Sequence, residues 1–197
     1  MLNQIAICLI LYMSPSVLFA QNANDPIELA IVVRVPTYTG KINFLSKQMH
    51  NPELSLQKKA KFQNSLNKTI EKRNDYFNLI KNGFNSYFKT CEVYYIPDTL
   101  YKEHLDGNSN VFINDSAEIQ SLNTEGKKFI YILQGKDEYQ LLLTDRDGNK
   151  LQKPWPYMKN TFLAAFKLLL DKEAYINNQI RYFDEKIAKL KPGTLQN

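Results

Sequence analysis

The feature that most constrains the fold is a long stretch without helix breakers, because residues 53–89 contain no proline and a single glycine. After a first step of six, its apolar residues recur three, four or seven positions apart: Leu56, Phe62, Leu66, Ile70, Phe77, Ile80, Phe84 and Phe88. Such spacing places side chains on one face of a helix. Asn51 and Pro52 fit a capping residue followed by proline in the first turn. The pattern predicts one long helix over residues 52–89.

A second helical pattern covers residues 161–190 and ends before Pro192 and Gly193, where helix stop signals belong. Its apolar positions follow a heptad rhythm with Glu173 at the one skipped place: Phe162, Phe166, Leu169, Ile176, Ile180, Phe183, Ile187 and Leu190. A heptad stripe of this kind has to be buried against another surface. Whether it pairs within the chain or between two chains stays open.

Short runs rich in β-branched and aromatic residues lie around the helices and are bounded by turn-forming residues. They predict strands at residues 26–36, 91–96, 111–113, 128–133 and 139–144, with a further short one at 150–152. A connection with a short helical turn is expected at 37–51, and one or two helical turns at 116–122. Together these elements predict an α+β fold (an α/β sandwich), with a mixed sheet of about 4–5 strands and two long helices packed on one face.

The two helices are too long for this sheet to cover. A helix of about 38 residues is about 57 Å long, whereas strands of about 5–6 residues span about 20 Å. We therefore expect the helices to overhang the sheet as an antiparallel arm, in which the polar halves 57–75 and 172–191 meet. A kink near Gly83 or a break near Asn74 and Asp75 would remove the arm.

The order strand, helix, strand, short helix, strand hairpin, helix resembles the thioredoxin-like arrangement over roughly residues 27–170. In that family an Asp-x-x-Gly turn similar to the one from Asp145 to Gly148 often joins the last two strands. This sequence lacks the family's CxxC pair, and Gly126 and Lys127 stand where the family has a proline ahead of its third strand. The resemblance implies a non-catalytic member without redox activity.

The first 20 residues indicate export. They contain no charged side chain, their apolar run is interrupted by Pro15, and the small residue Ala20 precedes Gln21. This pattern is typical of a signal peptide rather than a membrane span, which needs about 20 apolar residues. We expect cleavage near Ala20, a single globular domain over residues 21–197 without a transmembrane span, and a periplasmic location or one at the periphery of the outer membrane. Retention of residues 1–20 as an anchor is the alternative.

The sequence offers no recognisable catalytic or cofactor motif. A single cysteine, Cys91, follows the predicted signal peptide, so neither an internal disulfide nor a CxxC pair is available. His50 and His104 have no metal-ligand spacing, and we expect surface or packing roles for them. Glycine-rich phosphate loops are absent, and no cofactor or metal is predicted. Carboxylates such as Asp98 or Glu103 could still converge in the fold, so an enzyme using carboxylates near His104 stays open.

Charge and aromatic residues supply the candidate binding sites. The long-helix region, residues 52–89, carries eight basic and three acidic side chains, whereas residues 92–160 carry eight and eleven. The basic candidates are Lys58, Lys59, Lys61, Lys68, Lys72 and Arg73. A solvated helix face explains them, and so does a surface that binds an acidic partner, an acidic polymer or anionic lipid headgroups. Trp155 and Tyr157, in a proline-braced turn, are the aromatic candidates.

These observations favour a non-enzymatic binding or assembly accessory protein of the cell envelope, with an envelope protein as its partner. Nucleic acid is not expected as a partner, because lysine predominates over arginine and the chain is predicted to be exported. An inhibitor or immunity-type protein that blocks a toxin's site is the other non-enzymatic alternative.

Overall fold

The computed structural model of the chain describes residues 28–114, 117–135, 139–151 and 171–190. Six strands form one mixed sheet in this part of the chain, in the order β4-β3-β2-β1-β5-β6. The strands are β1 (Glu28–Val35), β2 (Glu92–Pro97), β3 (Phe112–Ile113), β4 (Ile119–Gln120), β5 (Lys127–Gln134) and β6 (Leu141–Thr144). The predicted α+β class is confirmed, with six strands where about 4–5 were expected.

The centre of the sheet is parallel and its borders are antiparallel. β1 pairs with β2 on one side and with β5 on the other, and both pairings are parallel. β3, β4 and β6 are added in antiparallel orientation. β1 is the most buried strand, because its β-branched residues alternate between two covered faces.

Four helices are described: α1 (Thr39–Met49), α2 (Leu56–Tyr87), α3 (Tyr101–Leu105), which continues a 3₁₀ turn at Asp98–Leu100, and α4 (Lys172–Ile187). The predicted long helix is confirmed as α2, although it begins later than expected. Ser55 is the capping residue, and its hydroxyl accepts a hydrogen bond from the Lys58 backbone N–H at 3.4 Å. The Asn51 side chain instead caps a turn by accepting from the Glu53 N–H.

α4 is shorter than the predicted helix over residues 161–190. The backbone of Asp171 is extended, with φ −155°, and its carboxylate accepts a hydrogen bond from the Ala174 N–H at 2.8 Å. These are the marks of a helix cap, so no helix passes through Asp171. Residues 161–170 of the predicted helix lie outside the described residues.

One face of the sheet is covered by the second half of α2 and by α4, which confirms that the two helices pack on the same face. Their core side chains are buried against alternate residues of the central strands. The core positions are Leu29, Ile31, Val33 and Val35 in β1, Tyr76, Phe77, Ile80 and Phe84 in α2, and Ile176, Ile180, Phe183 and Ile187 in α4.

The antiparallel packing predicted for these two helices is wrong, because α2 and α4 run in the same direction. Gly83 of α2 lies against Ile176 and Ile180 of α4. Further along both helices, the Asp184 carboxylate accepts hydrogen bonds from the N–H groups of Lys89 and Thr90 at 2.7 and 2.8 Å. Later residues of α2 therefore contact later residues of α4, as in a parallel pair. An apolar stripe fits a partner in either orientation, so the sequence pattern could not decide between them.

An antiparallel helical pair does exist, but it consists of α1 and the first half of α2. The ring centroids of Phe44 and Phe62 lie 6.5 Å apart, and the Lys72 ammonium lies 5.8 Å from the centroid of the Tyr38 ring. We call residues 39–72 the helical arm. Only Leu45 and Thr69 are buried in it. With 32 residues α2 is about 48 Å long, whereas the eight-residue β1 is about 26 Å long, so α2 extends beyond the sheet.

The second face of the sheet is covered by α3 and its flanking turns. Val32, Ile96, Phe112 and Tyr131 form a smaller core there, and Tyr101 and Leu105 pack against it. The helical turns predicted at 116–122 are replaced by the short strand β4. The thioredoxin-like order is not confirmed, because β3 and β4 follow β2 in the chain and extend the sheet beyond β2, at the edge opposite the β5–β6 hairpin.

Candidate functional site

Five of the six basic residues predicted as a binding site lie on the helical arm, and Arg73 follows directly after it. Lys58, Lys61, Lys68 and Lys72 are exposed and follow one another at steps of three, seven and four positions. With 3.6 residues per turn, these steps keep the four side chains within an arc of about 80° over a length of about 21 Å. We call these four residues the lysine stripe. A rigid helix therefore presents four ammonium groups toward one side.

The other two predicted basic residues do not belong to this stripe. Lys59 and Arg73 are half-buried and point toward the side of α2 that carries Phe62 and Leu66. The Arg73 guanidinium donates to the Asn74 side-chain oxygen at 3.2 and 3.1 Å. The six predicted residues thus divide into four that face solvent and two that line the helix pair.

The charge of the arm is poorly neutralised. Residues 39–72 contain seven lysines and two glutamates. In the described part of the chain, Lys58, Lys61 and Lys68 form no ion pair with any acidic side chain. Lysines that repel one another along a helix contribute little to stability, so the fold itself gains little from their clustering.

α1 adds positive charge to the arm in a way that sequence analysis missed. It contributes the exposed Lys41 and Lys47 where only a connection with a helical turn was expected. The spacing of Ile42, Leu45 and Met49, three and four positions apart, is the helical signal that could have revealed it. Gly40 near the start and the polar residues in between weakened that signal.

The arm also exposes two large apolar side chains. Leu56, the first residue of α2, is 85% exposed, and Phe44 of α1 is 56% exposed. Leu56 lies about 160° around the helix from the middle of the lysine stripe. Its side chain and the stripe therefore face opposite sides of α2.

The aromatic candidates Trp155 and Tyr157 lie outside the described residues. They stay predictions.

His104, the residue of the enzymatic alternative, is buried on the second face of the sheet with 9% of its surface exposed. Its Nε2 lies 3.3 Å from the Tyr131 hydroxyl, and its ring makes edge contacts with Phe112 and Phe129. Burial, assisted by the nearby Arg146 charge, lowers the pKa of the imidazole. The packing role expected for His104 is what the structure gives it.

A cavity of about 510 Å³ opens beside His104 and is lined by Asp106, Asn108, Tyr131 and Arg146 among others. Its lining contains one carboxylate and one guanidinium. Burial raises the pKa of the Tyr131 phenol to about 12, so this group keeps its proton. A single carboxylate beside a neutral imidazole lacks the second acid that glycoside chemistry requires. This pocket is concave but not acidic, so it gives no support to the carboxylate enzyme.

Cys91 precedes β2 and packs half-buried against the main core. Burial, and secondly the carboxylates of Asp184 and Glu92, raise the pKa of its thiol to about 12. Since only the thiolate is a strong nucleophile, this cysteine has a packing role just before β2.

The described residues contain neither a cluster of metal ligands nor a helix that could span a membrane. In that part of the chain, no three side chains of the His, Cys, Asp or Glu type come together as a metal site. None of its helices combines the length and the apolar character that a bilayer crossing requires.

Comparisons with known proteins add no relative to this description: no protein-family model, no curated protein and no solved structure matches the chain.

Proposed function

We propose that this chain is an exported, non-enzymatic accessory protein of the cell envelope that docks an acidic protein surface onto the lysine stripe of its helical arm. The single observation that carries the proposal is the stripe itself. Lys58, Lys61 and Lys68 face one side of a rigid helix and have no acidic partner within the described residues. Aligned, unneutralised cations accelerate and orient association with a surface of opposite charge.

The stripe suits a folded acidic protein better than a lipid bilayer. A helix that lies in a membrane interface combines cations with apolar residues that enter the bilayer beside them. Here Leu56 lies on the far side of α2, so inserting it would turn the lysine stripe away from the headgroups. Ser65, which lies within the stripe, is polar. The stripe therefore matches a partner that is recognised by charge rather than by insertion.

The pocket beside His104 offers no observation that favours the enzymatic alternative over the arm. Its neutral imidazole and protonated phenol are hydrogen-bonded to each other, and its lining holds a single carboxylate. The non-enzymatic assignment thus rests on the arm and does not require anything of this cavity.

The test compares two charge-reversal variants in an affinity purification from native envelope extract. K58E/K61E reverses the end of the stripe farthest from the sheet, and K102E/K189E reverses two exposed lysines outside the arm. Each variant lowers the formal net charge from +5 by the same amount. We expect one stoichiometric partner with an acidic surface, retained by the wild type and K102E/K189E and lost from K58E/K61E. Its retention should weaken as salt rises above about 0.15 M, since salt screens exposed charges.

Three outcomes contradict the proposal. Equal partner loss in both variants shows an effect of net charge alone. Absence of any stoichiometric partner removes the docking role. Binding of the purified chain to phosphatidylglycerol vesicles, abolished by K58E/K61E while no protein partner is retained, shows that the stripe meets lipid instead.

The export step has its own test. The mass of the mature protein, taken from a periplasmic fraction, should correspond to cleavage near Ala20. Recovery of the uncleaved chain from the cytoplasm would contradict the envelope location.

A further inference from the structure

A second candidate site lies at the carboxyl ends of the parallel strands. After β1 the chain leads through α1 and α2 toward β2, whereas after β5 it turns the opposite way toward β6. Adjacent parallel strands whose chains depart in opposite directions leave a crevice between their carboxyl ends, and ligands of open α/β sheets bind in such crevices. Here the crevice contains a cavity of about 190 Å³, lined by Arg34, Pro36, Asp98, Leu133 and Gln134.

Arg34 brings an unsatisfied positive charge to this cavity. It is half-buried next to the end of β1, and its guanidinium lies over the Tyr101 ring at 5.0 Å from the centroid. Within the described residues it makes no hydrogen bond or ion pair. A guanidinium carries five donors and matches a carboxylate with two parallel hydrogen bonds. Because the guanidinium is half-buried and has no acceptor among the described residues, its donors are available to a ligand that enters the cavity.

Asp98 brings the opposite charge to the same cavity. One of its carboxylate oxygens accepts hydrogen bonds from the Thr37 N–H at 3.0 Å and from the Thr37 hydroxyl at 2.5 Å. These bonds fix the carboxylate at the end of β2 and leave its second oxygen without a hydrogen bond from the described residues. Asp98 and Arg34 line one small cavity, yet they form no ion pair with each other in the described part of the chain.

From this arrangement we propose that the crevice binds a small zwitterion, an α-amino acid with a short side chain. Its carboxylate pairs with the Arg34 guanidinium, and its ammonium group donates to Asp98. The volume supports the class, because a cavity of about 150 Å³ holds a molecule the size of benzene. A purely anionic ligand would meet the Asp98 charge, and a purely cationic one would meet Arg34. The proposal does not depend on the arm or on its partner.

Calorimetric titration with three matched probes tests the charge requirement. L-alanine carries both groups, propionate lacks the ammonium, and ethylamine lacks the carboxylate. We expect alanine to bind about tenfold or more tightly than either analogue, since each lost charge-assisted hydrogen bond has about that effect. If propionate bound as tightly as alanine, the ligand would not need its ammonium group, and the zwitterion proposal would be overturned. If no probe gave a heat of binding, the proposal of a ligand site would be overturned.

Two variants locate the binding. Arg34→Gln removes the guanidinium, and Asp98→Asn removes the negative charge while keeping an oxygen that can accept from Thr37. Each should weaken alanine binding about tenfold or more. The matched control is Arg181→Gln, because Arg181 also lies over a tyrosine ring, 4.0 Å from the centroid of Tyr87, but belongs to α4. The melting temperature of each variant shows whether it is folded. If Arg34→Gln does not fold, the alanine affinity of Asp98→Asn tests the site. Wild-type affinity in Asp98→Asn would overturn the proposal.

Discussion

The two halves of α2 share one helix and one apolar rhythm, yet they do different work. The second half places Tyr76, Phe77, Ile80 and Phe84 in the main core, where α4 and the sheet surround them. In the first half Thr69 is the only buried residue. This half of α2 packs against the short helix α1. A continuous helix can thus begin in a solvated arm and end in the core. The difference separates the part of α2 that stabilises the fold from the part that presents charge.

The largest expected effect comes from truncating a phenylalanine in each half. Phe84 is 1% exposed and contacts the rings of Phe88 and Tyr95, so Phe84→Ala should lower the free energy of unfolding by about 3–5 kcal/mol. Phe62 is only half-buried against Phe44, so Phe62→Ala should cost about 1–2 kcal/mol because less apolar surface is lost. Urea unfolding of both variants measures the difference. Equal losses would show that the arm belongs to the core.

The two helix glycines allow one substitution to be compared in both regions. A Cβ at Gly83 would lie 2.7 Å from the Ile180 side chain and 2.8 Å from that of Asn177, because α2 and α4 are in close contact there. Gly83→Ala should destabilise by about 1–2 kcal/mol, the overpacking cost exceeding the gain in helix propensity. At Gly40 in α1 nothing lies within 4 Å of the added atom. Gly40→Ala should therefore stabilise by up to about 1 kcal/mol. Thermal melts of the two variants should shift in opposite directions, and stabilisation by Gly83→Ala would contradict the close parallel packing.

The sequence predicted the elements of this fold better than their arrangement. Periodicity identified α2 and the central strands because it reports which side of an element is buried. It does not report what covers that side, and for this reason the stripe of Phe62 and Leu66 was assigned to the last helix although α1 lies against Phe62. The direction of α4 was missed for the same reason.

Prediction of the candidate sites shows the same limit. The lysine stripe could be found because positions of like charge on one helix are visible in the sequence. The crevice at Arg34 and Asp98 could not, since these residues are 64 positions apart and meet only through the parallel pairing of β1 with β2. Sequence reasoning reaches sites built on one element and misses sites built across the sheet.

Outside the arm, the buried residue His104 should make the free energy of unfolding depend on pH. Burial holds the pKa of His104 below its ordinary value of 6.5, so the unfolded chain binds more protons than the folded one between the two values. The contribution to stability is complete above pH 6.5 and is lost as pH falls through the lowered pKa. Urea unfolding between about pH 7.5 and pH 5.5 should show this decline. His104→Phe, which keeps a ring among Phe112 and Phe129, should flatten it, and an unchanged slope would assign the decline to other groups.

The smallest effect on stability is expected for K58E/K61E, the variant that tests the role of the arm most directly. Lys58 and Lys61 are exposed and have no acidic partner in the described chain, so K58E/K61E should change the free energy of unfolding by no more than about 0.5 kcal/mol. The same variant is the one expected to lose the acidic partner. K102E/K189E provides the matched measurement outside the arm. If K58E/K61E instead lowers the urea midpoint by as much as Phe62→Ala does, the lysines support the helix pair itself. Partner loss would then reflect unfolding of the arm, and only a variant that keeps α1 and α2 together could show that the charges are there for docking.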